Sequence, residues 1–291
     1  MFTPAETAAC CRLIEMALAE DLNKEPTLRG DVTGSNFLAF SSDGKGVFVA
    51  RELGVIAGLP AAGLVCGAVN ERLHFQPQIE DGAAVRAGTQ IATVSGRPAG
   101  IVIVERTALN FLQHLSGIAT LTRRYVDAIA GLSCQILDTR KTTPGWRLLE
   151  KYAVRCGGGH NHRMGLYDMV LVKDNHLMWM RNPDLVIETI RRLRISEKDL
   201  PVEIEVETLE LFDVFLPAKP DIILLDNMTP QQMREAVRRR NAVAPQVKLE
   251  ASGGITLANV RAVAETGVDR ISVGALTHSA PALDIALDYV A

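Results

Sequence analysis

The sequence predicts an α/β protein whose carboxyl-terminal half forms an α/β barrel, complete or incomplete. Apolar β runs that end in polar residues alternate there with amphipathic helices, and this alternation is typical of a parallel sheet. The glycine-rich first turn of a doubly wound sheet, GxGxxG, does not occur. Six runs carry the prediction: Gln135–Asp138, Met169–Val172, Val202–Val206, Asp221–Leu225, Val247–Ala251 and Arg270–Val273.

Two of these runs alternate apolar and charged residues, V-E-I-E-V-E and V-K-L-E-A-S. Buried parallel strands usually read as continuous apolar runs, so the alternation indicates that polar side chains face the barrel interior. The inward set would be Glu203, Glu205, Glu207, Lys248, Glu250 and Ser252. Buried charges need partners, and we expect Lys248 to pair with Glu203 or Glu250. The alternative is a half-exposed edge strand.

The amino-terminal half of the sequence has a different pattern of predicted helices and strands. Residues 5–22 carry apolar positions at helical spacing, and glycine-split β segments follow from about residue 45 to 104. These segments include Val47–Ala50, Gly54–Ala57, Ile91–Val94 and Ile101–Val104. A helix is expected from Glu105 to about Ile129. We therefore predict a sheet-rich domain over 1–115 and a barrel domain over 116–291.

Composition excludes several classes of protein. The net charge is −3, so nothing global attracts nucleic acid or an anionic membrane. The longest uncharged run, Gly54–Asn70, contains Pro60 and is shorter than the ~20 apolar residues of a membrane span. Five cysteines without a CxxC pair indicate reduced thiols. With no signal peptide evident, we expect a cytoplasmic protein.

Glycines follow the last two predicted strands, in E-A-S-G-G-I-T and S-V-G-A-L-T. Barrel enzymes place function at the carboxyl ends of their strands, often with a phosphate after the last two. Glycine lets backbone N–H groups approach a ligand closely. We therefore expect a phosphate at Ser252, Gly253, Gly254 and Gly274.

A cationic group follows the earlier strands. Four residues lie at or after strand ends: Arg140, Lys141, Arg163 and Lys173. Such a group at one barrel mouth predicts a ligand with several negative charges, the alternative being surface ion pairs. Three further cations lie on a helical pattern and are interpreted as a solvated face: Arg147, Lys151 and Arg155.

His160 and His162 form an H-x-H motif, which binds metal in some barrel hydrolases. No later predicted strand ends in histidine, and Arg163 would repel a cation, so we favour hydrogen bonding to an anionic substrate. Glu205 and Asp226 would suit Mg²⁺ bound mostly through phosphate oxygens. They could equally accept hydrogen bonds from sugar hydroxyls.

Several long motifs in one order resemble the quinolinate phosphoribosyltransferase family over nearly the whole chain. They are E-R-T-A-L-N, D-T-R-K-T-T-P-G, G-G-G-H-N-H-R-x-G-L, V-K-D-N-H, E-I-E-V-E, L-L-D-N and A-S-G-G-I-T. The resemblance implies an N-terminal α/β sandwich beside an incomplete α/β barrel, the type II phosphoribosyltransferase fold. It also implies a homodimer and a last helix that packs on the N-terminal domain. One departure is a longer insertion before G-D-V-T, within residues 22–34.

The resemblance also implies roles for single residues. Quinolinate's two carboxylates would be held by Arg140, His162, Arg163 and Lys173, with Thr139 also in the substrate site. Lys141 would lie between the substrates. Glu205 and Asp226 would contact the ribose and Mg²⁺ of phosphoribosyl pyrophosphate, and the glycine turns would bind its 5′-phosphate. Arg106 would reach the neighbouring subunit's site.

The implied reaction forms nicotinate mononucleotide, CO2 and pyrophosphate, with the final proton from Lys141, Lys173 or water. One rival is a paralogous phosphoribosyltransferase with another acceptor. A second is a barrel lyase that uses Lys173 as a Schiff base. A carrier role for the amino-terminal half lacks its lysine, since residues 75–104 contain none.

Overall fold

The computed structural model describes residues 1–23, 30–38, 42–69, 72–180 and 182–290. These divide into two compact units. The first takes Met1–Arg123, Lys141–Gly158 and Ala275–Ala291, and the second takes Arg124–Arg140 and Gly159–Gly274. The boundary predicted at 115 and 116 falls inside a helix and stays a prediction. The predicted insertion lies mainly at residues 24–29, outside the described residues.

The first unit contains an antiparallel sheet of four strands. Its elements are α1 (Pro4–Leu22), α2 (Val32–Phe37), β1 (Gly44–Ala50), β2 (Gly54–Val55), α3 (Leu59–Ala68), β3 (His74–Pro77), β4 (Ala84–Val85), β5 (Gln90–Gly96), most of α4 (Pro98–Ala128), and α5 (Arg147–Cys156). The sheet order is β12-β1-β5-β3, where β12 is the last strand of the chain (Ile285–Val290). Strands β2 and β4 form a separate ribbon.

Helix α1 begins where the sequence predicts it. The Thr3 hydroxyl accepts the Glu6 N–H at 3.2 Å, and Glu6 Oε2 accepts the Thr3 N–H at 2.7 Å. This capping box satisfies two amide groups that the first helical turn leaves without partners.

Helix α4 corrects the β segment predicted at Ile101–Val104. Its buried positions include Ile101, Val104, Ala108 and Leu112, which recur at helical spacing. Val102 lies on the outer side and is 40% exposed. Burial at helical spacing therefore outweighs the β propensity of this short β-branched run.

The end of the chain also differs from expectation. Instead of a last helix, residues Ile285–Val290 form β12, which pairs antiparallel with β1 from Ala50↔Ile285 to Lys45↔Val290. Ile285 and Leu287 are buried while Asp288 is not. This alternation has the period of a strand with one buried face. A short helix, α11 (Ala275–His278), precedes it.

The second unit is the predicted incomplete barrel. Its elements are β6 (Gln135–Leu137), β7 (Val170–Val172), α6 (Asp174–Met180), α7 (Pro183–Ser196), β8 (Val202–Val206), α8 (Leu209–Phe215), a 3₁₀ turn (Leu216–Ala218), β9 (Ile222–Asp226), α9 (Pro230–Val243), β10 (Lys248–Ser252), α10 (Val260–Ala264) and β11 (Arg270–Ser272). The strands are parallel in the order β6-β11-β10-β9-β8-β7, so β6 and β7 are the two edges. A single bridge, Leu137↔His160, extends the β6 edge.

The glutamates predicted inside the barrel are buried there. Glu203 and Glu250 are fully buried and Glu205 is 7% exposed, whereas Glu207, past the end of β8, is exposed. The pairing predicted for Lys248 is wrong, because Lys248 is the exposed first residue of β10. His162 and Arg270 contact the two buried glutamates instead.

All five cysteines are free thiols. Among the described helices, none combines the length and the apolar character needed to cross a membrane.

Candidate active site

The turn after β10 has the backbone expected of a phosphate loop. Gly253 and Gly254 have φ values of +88° and +60°, in the left-handed region that favours glycine. A Cβ on Gly253 would lie 2.2 Å from Asn227 Oδ1, whereas one on Gly254 would meet nothing within 4 Å. The Gly254 side of the turn is therefore open. Gly274 follows β11, the neighbouring strand.

Two carboxylates lie at the ends of the next strands. Asp226 is the last residue of β9, in register with Ser252 of β10, and Glu205 lies in β8 beside Leu224. Asn227 Nδ2 donates to Asp226 Oδ2 at 2.7 Å. The strand register therefore brings Glu205, Asp226 and the glycine turn to the same edge of the sheet.

Lys173 follows β7, and its Nζ donates to Glu205 Oε2 at 2.6 Å. The Lys173 side chain is 43% exposed and that of Glu205 is 8% exposed. This hydrogen bond pairs Lys173 with a buried carboxylate. This favours an electrostatic role for Lys173 over the nucleophile of a Schiff-base lyase.

Asp138, which the sequence reading did not single out, organises the loop that carries Arg163. Its buried carboxylate accepts the His162 N–H at 2.9 Å and Asn161 Nδ2 at 2.6 Å. A fully buried aspartate must be hydrogen-bonded, and here it joins the end of β6 to residues 161 and 162. An acidic residue directly before T-R-K-T-T-P-G was the available signal.

Arg140 and Arg163 are close enough for their charges to interact. Burial, and then the like charge of Arg140, lower the pKa of the Arg163 guanidinium. Arg163 Nη1 also donates to the Met169 carbonyl at 3.3 Å. Two neighbouring guanidinium groups create a positive potential that favours a carboxylate or phosphate. Thr139 and Arg140 directly follow Asp138 at the end of β6, and both residues are half-buried.

His162 is 8% exposed and faces inward. Its Nε2 lies 3.0 Å from Glu203 Oε2 and 3.3 Å from Glu250 Oε1, and its Nδ1 accepts the Arg163 N–H at 2.7 Å. Both ring nitrogens thus face protein groups, and its predicted contact with quinolinate stays a prediction. His160, the other member of the H-x-H motif, is exposed.

The cluster around His162 retains a proton near neutral pH. Burial disfavours the imidazolium, but Glu203 and Glu250 outweigh it and raise the pKa of His162 to about 9. Burial and the charge of Glu250 likewise raise the pKa of Glu203. Because His162 and Glu203 interact, the two raised pKa values describe the titration of the pair and not of either residue alone. The Arg163 N–H needs a lone pair on Nδ1, so this contact describes a neutral ring with its hydrogen on Nε2 and opposes the imidazolium that the two glutamates favour.

The remaining predicted site residues, Arg106 and Lys141, belong to the first unit. Both are exposed, and the Lys141 carbonyl accepts the Thr277 hydroxyl at 2.8 Å. The solvated face predicted for α5 is wrong for Lys151, which is fully buried. The other two α5 cations have partners, since Arg147 Nε donates to Thr142 Oγ1 at 3.1 Å and Arg155 Nη2 contacts Glu6 Oε1 at 2.5 Å.

The second unit is therefore a barrel with cations, two carboxylates and a glycine turn at the carboxyl ends of its strands, an arrangement suited to anionic substrates. Comparison with known proteins gives the family. Residues 118–288 match the model of the quinolinate phosphoribosyl transferase C-terminal domain, and residues 31–116 match that of its N-terminal domain. The chain belongs to the quinolinate phosphoribosyltransferase family.

Individual relatives cover the full chain. A carboxylating nicotinate-nucleotide pyrophosphorylase of Mycobacterium leprae is 44% identical over 99% of this chain and 100% of its own length. A probable enzyme of the same name from Synechocystis is 42% identical over 95% and 91%. The solved nicotinate-nucleotide pyrophosphorylase of Francisella tularensis has a TM-score of 0.88 at 36% identity, covering 97% of this chain and 96% of that chain.

Proposed function

We propose that this protein transfers the phosphoribosyl group of phosphoribosyl pyrophosphate to quinolinate with decarboxylation. The products are nicotinate mononucleotide, CO2 and pyrophosphate, within NAD biosynthesis. The observation that carries the proposal is the position of Arg163. It lies beside Arg140 at one barrel mouth, where burial and then the like charge of Arg140 lower its pKa, while a glycine turn suited to phosphate lies at the same sheet edge. Family membership supports the same reaction.

Quinolinate carries two carboxylates, whose negative charges complement the cations at the carboxyl ends of the barrel strands. In the proposal Arg140, Arg163 and Lys173 hold them, with Thr139 and His162 completing the pocket. Guanidinium forks recognise carboxylates through paired N–H donors. Lys173 is held by Glu205, so its ammonium is fixed before substrate arrives.

Phosphoribosyl pyrophosphate would occupy the neighbouring strand ends. Its 5′-phosphate would accept N–H groups from Ser252, Gly253, Gly254 and Gly274, and its ribose would face Glu205 and Asp226. The left-handed conformations of Gly253 and Gly254 favour such a backbone cradle.

Mg²⁺ fits the donors present. Glu205 and Asp226 offer carboxylate oxygens on adjacent strands, and Mg²⁺ binds through few protein carboxylates plus substrate phosphate oxygens. When bound, the ion would stabilise the charge that develops on the departing pyrophosphate.

The chain's own residues would act mainly by holding two anionic substrates together, which is catalysis by proximity. The quinolinate nitrogen attacks ribose C1 as the C1–pyrophosphate bond breaks. The ring is then cationic and accepts the electron pair of the C2–carboxylate bond as CO2 leaves. One proton is then needed at C2, from Lys141, Lys173 or water. Fixed cations aimed at the carboxylates and pyrophosphate stabilise charge without reorganising.

We also propose a homodimer in which Arg106 acts in the partner's site. Its exposed position on α4 is compatible with a contact outside its own subunit. A cytoplasmic location is proposed as well, and the five free thiols support it.

The direct experiment incubates the protein with quinolinate, phosphoribosyl pyrophosphate and Mg²⁺. Nicotinate mononucleotide, CO2 and pyrophosphate should form in equal amounts. A paralogous enzyme would leave quinolinate unchanged, and a Schiff-base lyase would be trapped by borohydride with a carbonyl substrate. Either result would contradict the proposal.

A further inference from the structure

A buried charged cluster lies one layer below the candidate active site. Glu203 is two residues before Glu205 in β8, and Glu250 is two residues before Ser252 in β10. Both glutamates are fully buried. Arg270, the first residue of β11, is in register with Glu250, and its Nε lies 3.2 Å from Glu250 Oε2. With His162 these residues form what we call the inner cluster.

His162 joins the inner cluster to the substrate side. Its Nε2 lies within 3.3 Å of a carboxylate oxygen from each glutamate. On the opposite side of the ring, Nδ1 accepts the Arg163 N–H. The His162 N–H itself is held by Asp138. The imidazole thus has protein contacts at both nitrogens, and one of its three contacts is with the backbone N–H of Arg163.

Stability alone does not explain such a cluster. Replacing buried charges by apolar residues of similar volume is often neutral or stabilising, because each ion loses its hydration. What a buried charged network provides is orientation of the group that it holds. The group held here is the His162 imidazole, and it accepts a hydrogen bond from the backbone N–H of Arg163, the residue that carries the guanidinium.

We propose that Glu250 is a positioning residue that acts through His162 to fix Arg163 against a carboxylate of the substrate. The inference rests on the proposed use of quinolinate. Glu250 itself lies in the barrel interior and touches no substrate. Arg270 brings a positive charge within 3.2 Å of the Glu250 carboxylate.

A buried metal is the competing interpretation. Ligand atoms of His162, Glu203 and Glu250 all lie within 4.8 Å of one another. Arg270 already brings a positive charge to Glu250 at 3.2 Å and would repel a cation. Nε2 is the only ring nitrogen that faces these carboxylates, so a metal there would displace the hydrogen that it donates.

The test compares Glu250→Gln with Glu207→Gln, an exposed glutamate just past the end of β8. The amide keeps the size of Glu250 and removes its charge. We expect the KM for quinolinate to rise about 10-fold or more in Glu250→Gln, with the KM for phosphoribosyl pyrophosphate within about twofold of wild type, as loss of a buried charge contact with His162 would give. Glu207→Gln should match wild type for both substrates.

A ¹⁵N NMR spectrum of the His162 ring gives a readout that needs no substrate. In the wild type Nδ1 should be unprotonated and Nε2 protonated, and the Nδ1 signal should move in Glu250→Gln. A protonated Nδ1 in the wild type would overturn the proposal, even if the variant fails to fold. So would one equivalent of tightly bound metal that shifts the Nε2 signal.

The kinetic outcomes separate the inference from the function on which it rests. If the wild type forms no nicotinate mononucleotide, the proposed function fails while the NMR result still decides the geometry. If the wild type is active and Glu250→Gln keeps its quinolinate KM, the inference fails alone. Equal losses for both substrates would indicate a merely structural role and would also overturn it.

Discussion

The two ends of the barrel both carry cations, but they compensate them differently. At the amino ends of the strands, a hollow of about 550 Å³ is lined by residues that include Arg194, Lys198, Lys219 and Lys248. Carboxylates are built in there: Arg194 Nη2 lies 3.3 Å from Asp221 Oδ2, and Arg240 Nη1 lies 2.7 Å from Asp269 Oδ2. At the carboxyl ends, Lys173 pairs with Glu205 at 2.6 Å, while burial and then the like charge of Arg140 lower the pKa of the Arg163 guanidinium.

This difference teaches that the number of cations does not by itself identify an anion site. An exposed ion pair contributes about 0–1 kcal/mol and leaves little potential for a ligand. Neighbouring guanidinium groups beside an open glycine turn leave a positive potential that a dianion can neutralise. The ion pairs at the amino ends of the strands stabilise the barrel, and the neighbouring guanidinium groups at the carboxyl ends are suited to an anionic substrate.

The largest expected effect comes from Arg163→Ala at the carboxyl mouth. Removing one charge-assisted partner of a buried carboxylate costs about 2–5 kcal/mol, so kcat/KM for quinolinate should fall about 100-fold or more. Steady-state kinetics should show phosphoribosyl pyrophosphate binding largely kept. Equal loss of both substrates would show that Arg163 is not specific to the dicarboxylate.

Arg194→Ala is the matched change at the amino end. Because its ion pair with Asp221 is partly exposed, we expect kcat/KM to stay within about twofold of wild type. A large loss of activity in this variant would break the distinction between the two ends.

Substitutions in the glycine turn after β10 should have an intermediate effect on the KM for phosphoribosyl pyrophosphate. In Gly253→Ala the new Cβ would lie 2.2 Å from Asn227 Oδ1 and 3.0 Å from its backbone nitrogen, and Asn227 holds Asp226. In Gly254→Ala the Cβ is unobstructed and only the left-handed backbone is costly, by about 1 kcal/mol. The KM for phosphoribosyl pyrophosphate should therefore rise more in Gly253→Ala, and the reverse order would contradict the assigned turn.

The last comparison concerns a cation from outside the barrel, and its readout is a partial recovery of activity. If Arg106 completes the partner's carboxyl mouth, Arg106→Ala and Arg163→Ala should each be inactive alone. Mixed dimers formed from the two should regain about a quarter of wild-type activity, because random pairing makes half of the dimers mixed and each holds one intact site. No recovery in an activity assay of refolded mixtures would argue against a shared site.

Much of the fold was predictable because its signals are local. Strand runs, the Thr3 cap of α1 and the inward glutamates of β8 follow from periodicity and capping chemistry. The family motifs also predicted site residues at strand ends, and their roles stay predictions. Sequence could not give the partners of the buried charges, because it does not show that Lys248 is exposed while Arg270, on the neighbouring strand, is in register with Glu250.

Two other misses have the same origin in tertiary packing. Ile101–Val104 has β-type composition but is buried at helical spacing within α4. Asp138 and the inner cluster act through contacts between residues 20 to 88 positions apart, such as Glu250 with Arg270 and His162 with Glu250. No local pattern encodes such distant pairs.

The central claim is that the carboxyl mouth recognises two carboxylates, and calorimetric binding tests it most directly. Quinolinate and nicotinate share a pyridine ring and differ in one carboxylate, so their affinities for the wild type should differ about 100-fold or more, as one buried charge pair requires. Arg163→Ala should abolish most of that difference, and Arg194→Ala should preserve it. Equal affinity of the wild type for both ligands would contradict the account.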